Sequence, residues 1–162
     1  MLYFRKGSKV QNLIHNLKYN QKTDVGVFLG ELLGGRLLLN ETYTDIDLII
    51  PVPLHHKKLR KRGYNQSTYI AEGLSKKMSI PYTENNLLRI KSTESQTHKN
   101  RYNRYENMKD VFKVADFEKI RTKHILLTDD VLTTGATLEA CAVELLSQGA
   151  SKISIATLAF AE

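Results

Sequence analysis

The sequence predicts an α/β domain in which a mainly parallel five-stranded sheet lies between helices. Apolar β-branched segments alternate with amphipathic segments of helical period along the 162 residues, as in a parallel sheet with helical crossovers. The composition, 41% hydrophobic and 25% charged, is that of an ordinary globular protein, and the length suits one domain with a buried core. We therefore predict a single domain over residues 1–162.

The N-terminal part is predicted to be helical. Four aliphatic residues recur at helical spacing within residues 3–19, which predicts a short amphipathic helix: Val10, Leu13, Ile14 and Leu17. A second apolar segment covers residues 24–39. It is predicted to be helical to about Gly34, since its glycines lower helix propensity.

The remaining elements are predicted to form the core. Five short segments are apolar and bounded by polar or turn residues, which predicts strands over 47–52, 86–91, 111–114, 124–128 and 152–158. Amphipathic periodicity predicts one helix from about Gln66 to Met78. A second helix is predicted from Thr134 to Gln148 and ends before Gly149. Residues 116–121 are predicted to form a turn or a short helix.

The stretch ILLTDDVLTTGAT, residues 125–137, predicts a ligand site. Aliphatic residues run into Asp129 and Asp130, and a small-residue turn follows at residues 133–137. Such a turn at a helix start leaves backbone N–H groups without partners, which suits a phosphate. The carboxylates are predicted at the carboxyl end of a buried strand, where they suit sugar hydroxyls or a hydrated divalent cation. A ribose 5-phosphate fits the whole stretch, and an ordinary βα junction without a ligand is the alternative.

Positive charge is concentrated in the middle of the chain. Residues 51–104 contain twelve Lys or Arg and three Glu, so this part exceeds the net charge of +7 carried by the whole chain. Five of the six residues at 57–62 are basic. We predict that this stretch is a loop between a strand and a helix, and that it binds a polyanion such as pyrophosphate or nucleic acid. A solvated surface is the alternative.

Three motifs together resemble one protein family. TDDVLTTGAT resembles the phosphoribosyl pyrophosphate (PRPP) motif of the type I phosphoribosyltransferases. Together with PVPLHHKKLRKRGYNQS from Pro51 and SQTHKNRYNRYENMKDVFKV from Ser95, it resembles the ComF family of competence-associated phosphoribosyltransferase-like proteins. The resemblance implies the type I phosphoribosyltransferase fold. Residues 1–45 would form a small hood of N-terminal helices over the acceptor site, and residues 46–162 would form the core.

The resemblance also implies roles for particular residues. Five are implied to bind the PRPP 5-phosphate: Thr133, Thr134, Gly135, Ala136 and Thr137. Four are implied to face the pyrophosphate: His55, Arg60, Lys61 and Arg62. Four are implied to be catalytic: Asp129, Asp130, Arg101 and Arg104. The two acids would also face the Mg²⁺ that accompanies PRPP, and both arginines lie in a loop expected to close over the substrates. The implied reaction transfers phosphoribosyl from Mg-PRPP to an acceptor that the sequence does not identify.

A second hypothesis is a DNA-uptake factor without catalysis, which binds single-stranded DNA or senses PRPP. Five tyrosines interleave with the basic residues, as on a cationic groove that stacks bases: Tyr64, Tyr69, Tyr82, Tyr102 and Tyr105. Lys57, Lys58 and Tyr64 are the candidate DNA contacts, and packing is the alternative role of the tyrosines. Proteins of the competence machinery are the implied partners.

The remaining features bear on cofactors and location. The single cysteine, Cys141, excludes a disulfide or a cysteine zinc site within this chain. Many ComF members begin with a four-cysteine zinc-binding segment upstream of the position of Tyr3, and this sequence starts after it. Either this member lacks the segment or the chain is a truncated form of a longer protein, and no zinc is expected in this chain. The first twenty residues contain no long apolar run, so we predict no signal peptide or membrane span and a cytoplasmic location. The oligomeric state stays open, a dimer being one option.

Overall fold

The computed structural model describes residues 2–4, 23–91 and 110–161. The elements are, in chain order, β1 (Leu2–Phe4), α1 (Thr23–Leu37), a 3₁₀ turn (Glu41–Tyr43), β2 (Leu48–Pro51), α2 (His56–Arg62), α3 (Gln66–Met78), β3 (Leu87–Arg89), β4 (Phe112–Val114), β5 (His124–Leu132), α4 (Ala136–Ser147) and β6 (Lys152–Ala161). Every helix within those ranges is too short or too polar to cross a membrane.

A parallel sheet with the strand order β1-β6-β5-β2 lies at the centre of the fold. The register places Ile49 beside Leu126 and Ile50 beside Leu127. Because successive side chains of a strand point to opposite faces, these residues divide between two cores. Ile50 and Leu127 belong to the core that contains residues of α4, whereas Ile49 and Leu126 belong to the core that contains residues of α3. The predicted α/β class with a parallel sheet between helices is thereby confirmed.

The membership of the sheet differs from the prediction. The segments predicted as second and third strands form a separate antiparallel pair, β3 with β4. In the described residues the central sheet has four strands, and its fourth member is β1, paired in parallel with the end of β6. The prediction that a helix begins at Tyr3 is therefore wrong, because residues 2–4 complete the sheet edge. The rest of that predicted helix, residues 5–19, lies outside the described residues.

Helix α1 continues past the predicted end at Gly34 because its glycines face another helix. Gly26, Gly30 and Gly34 are the buried residues of α1. A Cβ atom on Gly30 would lie 2.3 Å from the Ile70 carbonyl oxygen, and one on Gly73 would lie 2.0 Å from the Val27 carbonyl oxygen. The backbones of α1 and α3 are thus in direct contact, and this tertiary packing outweighs the low helix propensity of glycine.

Helix α4 covers the other face of the sheet. Cys141 is fully buried in that core. Burial raises the pKa of the Cys141 thiol well above its usual value. The helix begins at Ala136, two residues later than predicted, which leaves the preceding small residues in the turn at the end of β5.

Candidate functional site

The acidic pair lies within strand β5, which continues to Leu132. Asp129 is half-buried and pairs with Thr157 of β6, whereas the Asp130 side chain belongs to the buried polar residues and is only 4% exposed. The predicted end of this strand at Thr128, before the acids, is therefore wrong. A buried carboxylate needs polar partners, and helix α3 supplies them.

The first two residues of α3 contact the two acids. Ser67 Oγ donates to Asp129 Oδ1 at 2.8 Å, and Gln66 Nε2 donates to Asp130 Oδ2 at 3.4 Å. The backbone N–H of Asp130 also donates to Asp129 Oδ1 at 2.9 Å. These contacts fix the orientation of both carboxylates before any ligand binds. Sequence reasoning treated Gln66 as a helix start and did not assign a site role to either residue.

Asn65 holds this end of α3 in place. It is the N-cap residue, and its side-chain oxygen accepts from the Ser67 backbone N–H at 3.3 Å. Its amide nitrogen donates to the Val52 carbonyl oxygen at 3.0 Å, just beyond the end of β2. The start of α3 is therefore tied to the neighbouring strand. The polar run Asn-Gln-Ser at a helix start was the available signal for this arrangement.

The small-residue turn follows β5 directly and leads into α4. Gly135 adopts φ +80° as the N-cap residue, in the left-handed region that favours glycine. Glycine has no side-chain acceptor to cap the helix. The first N–H groups of an α-helix also have no acceptor within the helix. Thr133 and Thr134 are exposed, while Ala136 and Thr137 open the helix. The five predicted phosphate-binding residues thus follow the acids directly, three in the turn after β5 and two in the first turn of α4.

The basic stretch forms helix α2 and is not the predicted loop. His55 is its N-cap residue, and its Nδ1 accepts from the Lys57 backbone N–H at 3.3 Å. Gly63 ends the helix at φ +85°. Lysine and arginine are good helix formers, so capping at both ends is enough to order this charged segment. Exposed on the helix are Lys57, Lys58, Arg60 and Lys61.

His55 was predicted to face the pyrophosphate, and the structure places its side chain in a buried position. Burial lowers its pKa from the usual value, and the positive charges of His56, Arg89, Lys57 and Lys58 lower it further. A neutral ring suits the capping role because Nδ1 must carry a lone pair to accept the Lys57 N–H. His55 therefore orients helix α2 in the structure.

Arg62 connects the basic helix with the acids. Its Nη1 donates to Gln66 Oε1, and Gln66 in turn donates to Asp130. The structure thus joins one of the predicted pyrophosphate residues to one of the predicted ribose residues. The predicted catalytic residues Arg101 and Arg104 lie outside the described residues.

Arg89 is a further charged residue near the acids that sequence reasoning missed. It follows Leu87 at a two-residue interval on β3, so it takes an inward position, and its Cζ lies 5.6 Å from the centroid of the Phe112 ring. Burial lowers its pKa from the usual value, whereas the negative charge of Asp129 acts in the opposite direction. An arginine at an inward strand position was the signal that could have identified it.

The acid pair suits a divalent cation that is bound mainly by substrate oxygens. Within residues 2–4, 23–91 and 110–161, no group of three His, Cys, Asp or Glu side chains is placed to hold a metal. Mg²⁺ is commonly held by one or two carboxylates together with substrate phosphates and water. Asp129 and Asp130 supply that number of carboxylates, so the chain fits a cation that arrives with a phosphorylated ligand.

Comparisons with known proteins identify the family and the fold of this chain. The family model described as phosphoribosyl transferase domain matches residues 9–162. The DNA utilization protein YhgH of Salmonella typhi is 28% identical over 146 residues, which are 88% of this chain and 63% of that protein. The competence protein F of Haemophilus influenzae is 35% identical over 114 residues, which are 70% of this chain and 50% of that protein. The chain therefore spans less than two thirds of the length of these relatives.

Solved structures show the same fold. The glutamine PRPP amidotransferase of Bacillus subtilis, in a complex with ADP and GMP, matches with a TM-score of 0.59 at 17% identity. The match covers 88% of this chain and 30% of that one. The chain belongs to the phosphoribosyl transferase domain family, where its relatives are competence and DNA utilization proteins, as the resemblance to the ComF family implied.

Proposed function

We propose that this chain binds Mg-PRPP and transfers its phosphoribosyl group to an acceptor. The observation that carries the proposal is the contiguity of the acid pair with the glycine turn at the end of β5. The turn offers N–H and hydroxyl donors to a 5-phosphate, and the acids offer acceptors to the ribose hydroxyls. The basic helix α2 supports the same reading because Arg62 is linked to Asp130 through Gln66.

The residues of the chain have separate tasks in this reaction. Residues 133–137 bind the 5-phosphate, and Asp129 and Asp130 accept from the ribose diol. Bond breaking at the ribose C1 leaves positive charge on the sugar, which the two carboxylates stabilise. Arg62 and the exposed residues Arg60 and Lys61 stabilise the negative charge of the departing pyrophosphate. Asp129 and Asp130 would hold the Mg²⁺ that accompanies PRPP, and the bound cation would supply neutralising charge for the pyrophosphate oxygens.

Calorimetry with and without Mg²⁺ tests this proposal. We expect PRPP to bind at least tenfold more tightly in the presence of Mg²⁺, because the cation offsets the charge of the pyrophosphate beside the two carboxylates. Ribose 5-phosphate, which lacks the pyrophosphate, serves as the control. Its affinity should depend much less on Mg²⁺ than that of PRPP. Equal PRPP affinity in both buffers, or no binding in either, would contradict the proposal.

A second candidate function is the binding of single-stranded nucleic acid along helix α2. The observation that favours it is the exposure of Lys57 and Lys58, which lie at the start of α2 and away from its Arg62 end. Their charges suit a phosphate backbone. The names of the relatives, which refer to competence and DNA utilization, are compatible with such a partner.

The double variant Lys57→Gln, Lys58→Gln separates the two functions. We expect PRPP affinity to change less than twofold, because these residues are not among those proposed to bind PRPP. Affinity for a single-stranded oligonucleotide should fall, and the slope of log affinity against log salt should become shallower by about 1.4, the value for two phosphate contacts. The measurement is a fluorescence-anisotropy titration at several salt concentrations.

The control for this variant removes equal charge elsewhere. Lys113 and Lys119 are exposed and lie outside helix α2, so Lys113→Gln, Lys119→Gln should leave the salt slope unchanged. Equal slopes for the wild type and the α2 variant would remove the nucleic-acid role of this helix.

A further inference from the structure

A cleft of about 620 Å³ lies between helix α2, the first turns of α3 and strand β3. Its apolar lining includes Leu59, Leu88 and Ile90, which are 41%, 40% and 50% exposed. Exposed aliphatic residues grouped around a concave surface indicate a binding site more often than isolated ones do. The acid pair and residues 133–137 do not line this cleft, so it lies outside the sites proposed for the ribose and the 5-phosphate of PRPP.

Two tyrosines give the cleft an aromatic wall. Tyr64 and Tyr69 both line it, and their ring centroids are 5.8 Å apart at an interplanar angle of 72°. Two rings in this edge-to-face arrangement form a corner. A planar heterocycle can stack on a tyrosine of this corner while the aliphatic residues cover its other side.

Polar groups beside this wall match the edge of a nucleobase. Asn85 and Glu84 line the cleft and are exposed. An amide offers both donors and an acceptor, and a carboxylate accepts from an exocyclic amino group or from a ring N–H such as that of thymine.

The surroundings of the cleft are positively charged. Arg89 and His56 line it, and helix α2, which supplies His56 and Leu59 to the lining, also carries exposed lysines and an arginine outside the lining. The pKa of the nearby His55 is lowered by burial and further by His56, Arg89 and the α2 lysines, as expected in a positive field. An anionic group beside the aromatic corner would therefore be stabilised.

We propose that this cleft binds one nucleotide, with its base stacked on the Tyr64–Tyr69 corner and its phosphate towards helix α2. The placement of the phosphate beside helix α2 rests on the nucleic-acid binding proposed above for that helix. The same chemistry is found in a free mononucleotide and in one unit of a single strand. The experiment distinguishes these two sources.

The test measures binding of three probes to the full chain by calorimetry. The probes are AMP, a ten-nucleotide oligothymidylate and an abasic deoxyribose-phosphate chain of the same length. We expect Tyr64→Ala to weaken the binding of AMP or of the oligothymidylate by about tenfold, the usual effect of losing one stacked base. The variant should leave the abasic chain unaffected, because that probe has no base. Tyr82 is exposed and lies outside the cleft lining, so Tyr82→Ala is the matched control and should bind like the wild type.

Further variants separate the cleft from the other sites. AMP also resembles a product at the PRPP site, so the double variant Asp129→Asn, Asp130→Asn should still bind AMP if the cleft is the site. The double variant Lys57→Gln, Lys58→Gln should weaken the binding of the abasic chain and of the oligothymidylate to the same extent, because it removes only the charges of helix α2. If Tyr64→Ala does not fold, Leu88→Glu places a negative charge at an exposed cleft position and should exclude both nucleotide probes.

The outcomes decide the proposal in either direction. Tyrosine-dependent binding of AMP supports a free nucleotide as ligand, and tyrosine-dependent binding of the oligothymidylate alone supports a strand. The proposal is overturned if neither probe binds, if Tyr64→Ala and Tyr82→Ala behave alike, or if AMP binding depends on the acids and not on Tyr64. Failure of PRPP binding leaves these outcomes unchanged, because the cleft is measured without PRPP.

Discussion

The double variant Asp129→Asn, Asp130→Asn is expected to lose PRPP binding while it keeps the fold. Each carboxylate is proposed to accept from a ribose hydroxyl, and a hydrogen bond to a charged group contributes about 1.5–3 kcal/mol. Asparagine keeps an acceptor but loses the charge that strengthens each bond and holds the Mg²⁺, so the expected loss is about 3–6 kcal/mol, or roughly a hundredfold to ten-thousandfold in Kd. Asparagine is nearly isosteric, and its oxygen still accepts from Ser67 or Gln66, so a thermal melt should show a native transition. Calorimetry with Mg-PRPP measures the loss.

A control variant should remove two carboxylates without reaching the site. Asp110 and Glu118 are exposed and form surface ion pairs with Lys91 and Arg121, which contribute little to stability. Asp110→Asn, Glu118→Gln should therefore bind PRPP like the wild type. Unchanged affinity in the Asp129, Asp130 variant would show that the acids do not contact the ligand.

The substitution Gly73→Ala is expected to destabilise the whole chain. The new Cβ would lie 2.0 Å from the Val27 carbonyl oxygen and 2.9 Å from Gly30 Cα, so helices α1 and α3 would have to separate. Such overpacking costs about 3 kcal/mol, which for a chain of this length lowers Tm by roughly 6–12 °C. Calorimetric or circular-dichroism melting measures the change.

Gly35→Ala is the matched control in the same helix pair. Its Cβ would meet only Lys77 Cε at 3.3 Å, the far part of a flexible side chain. Alanine has a higher helix propensity than glycine by about 1 kcal/mol, so this variant should be as stable as the wild type or more stable. A similar loss of Tm in both variants would mean that helix propensity, and not backbone contact, governs these positions.

The candidate site could be predicted from local sequence because its main parts are contiguous. The strand, the acids Asp129 and Asp130, and the turn at residues 133–137 follow one another along the chain. Their order could therefore be predicted from one short stretch of sequence. The burial of Asp130 could not be predicted from local sequence, because its partner Gln66 is 64 residues away in the sequence. The same holds for Arg89, whose relation to Asp129 depends on how β3 packs.

The errors in the fold have similar causes. Residues 2–4 are too few to give a strand pattern, and they become a strand through pairing with residues 159–161 at the far end of the chain. The basic stretch was predicted as a loop from its charge. Its helical state depends on the caps His55 and Gly63 and on the good helix propensity of lysine and arginine. The charge of this stretch therefore predicted correctly that most of α2 is exposed. It did not predict that the stretch is helical.

The burial of Cys141 gives this chain a built-in chemical reporter of unfolding. The thiol is fully buried and its raised pKa keeps it protonated near neutral pH, whereas alkylating reagents react with exposed thiolates. As the sequence contains one cysteine, any labelling by iodoacetamide reports the opening of the core between α4 and the sheet. The labelling rate then gives the population of opened molecules without an introduced probe. Protection of that thiol by a bound ligand would be a readout of ligand affinity for the folded state.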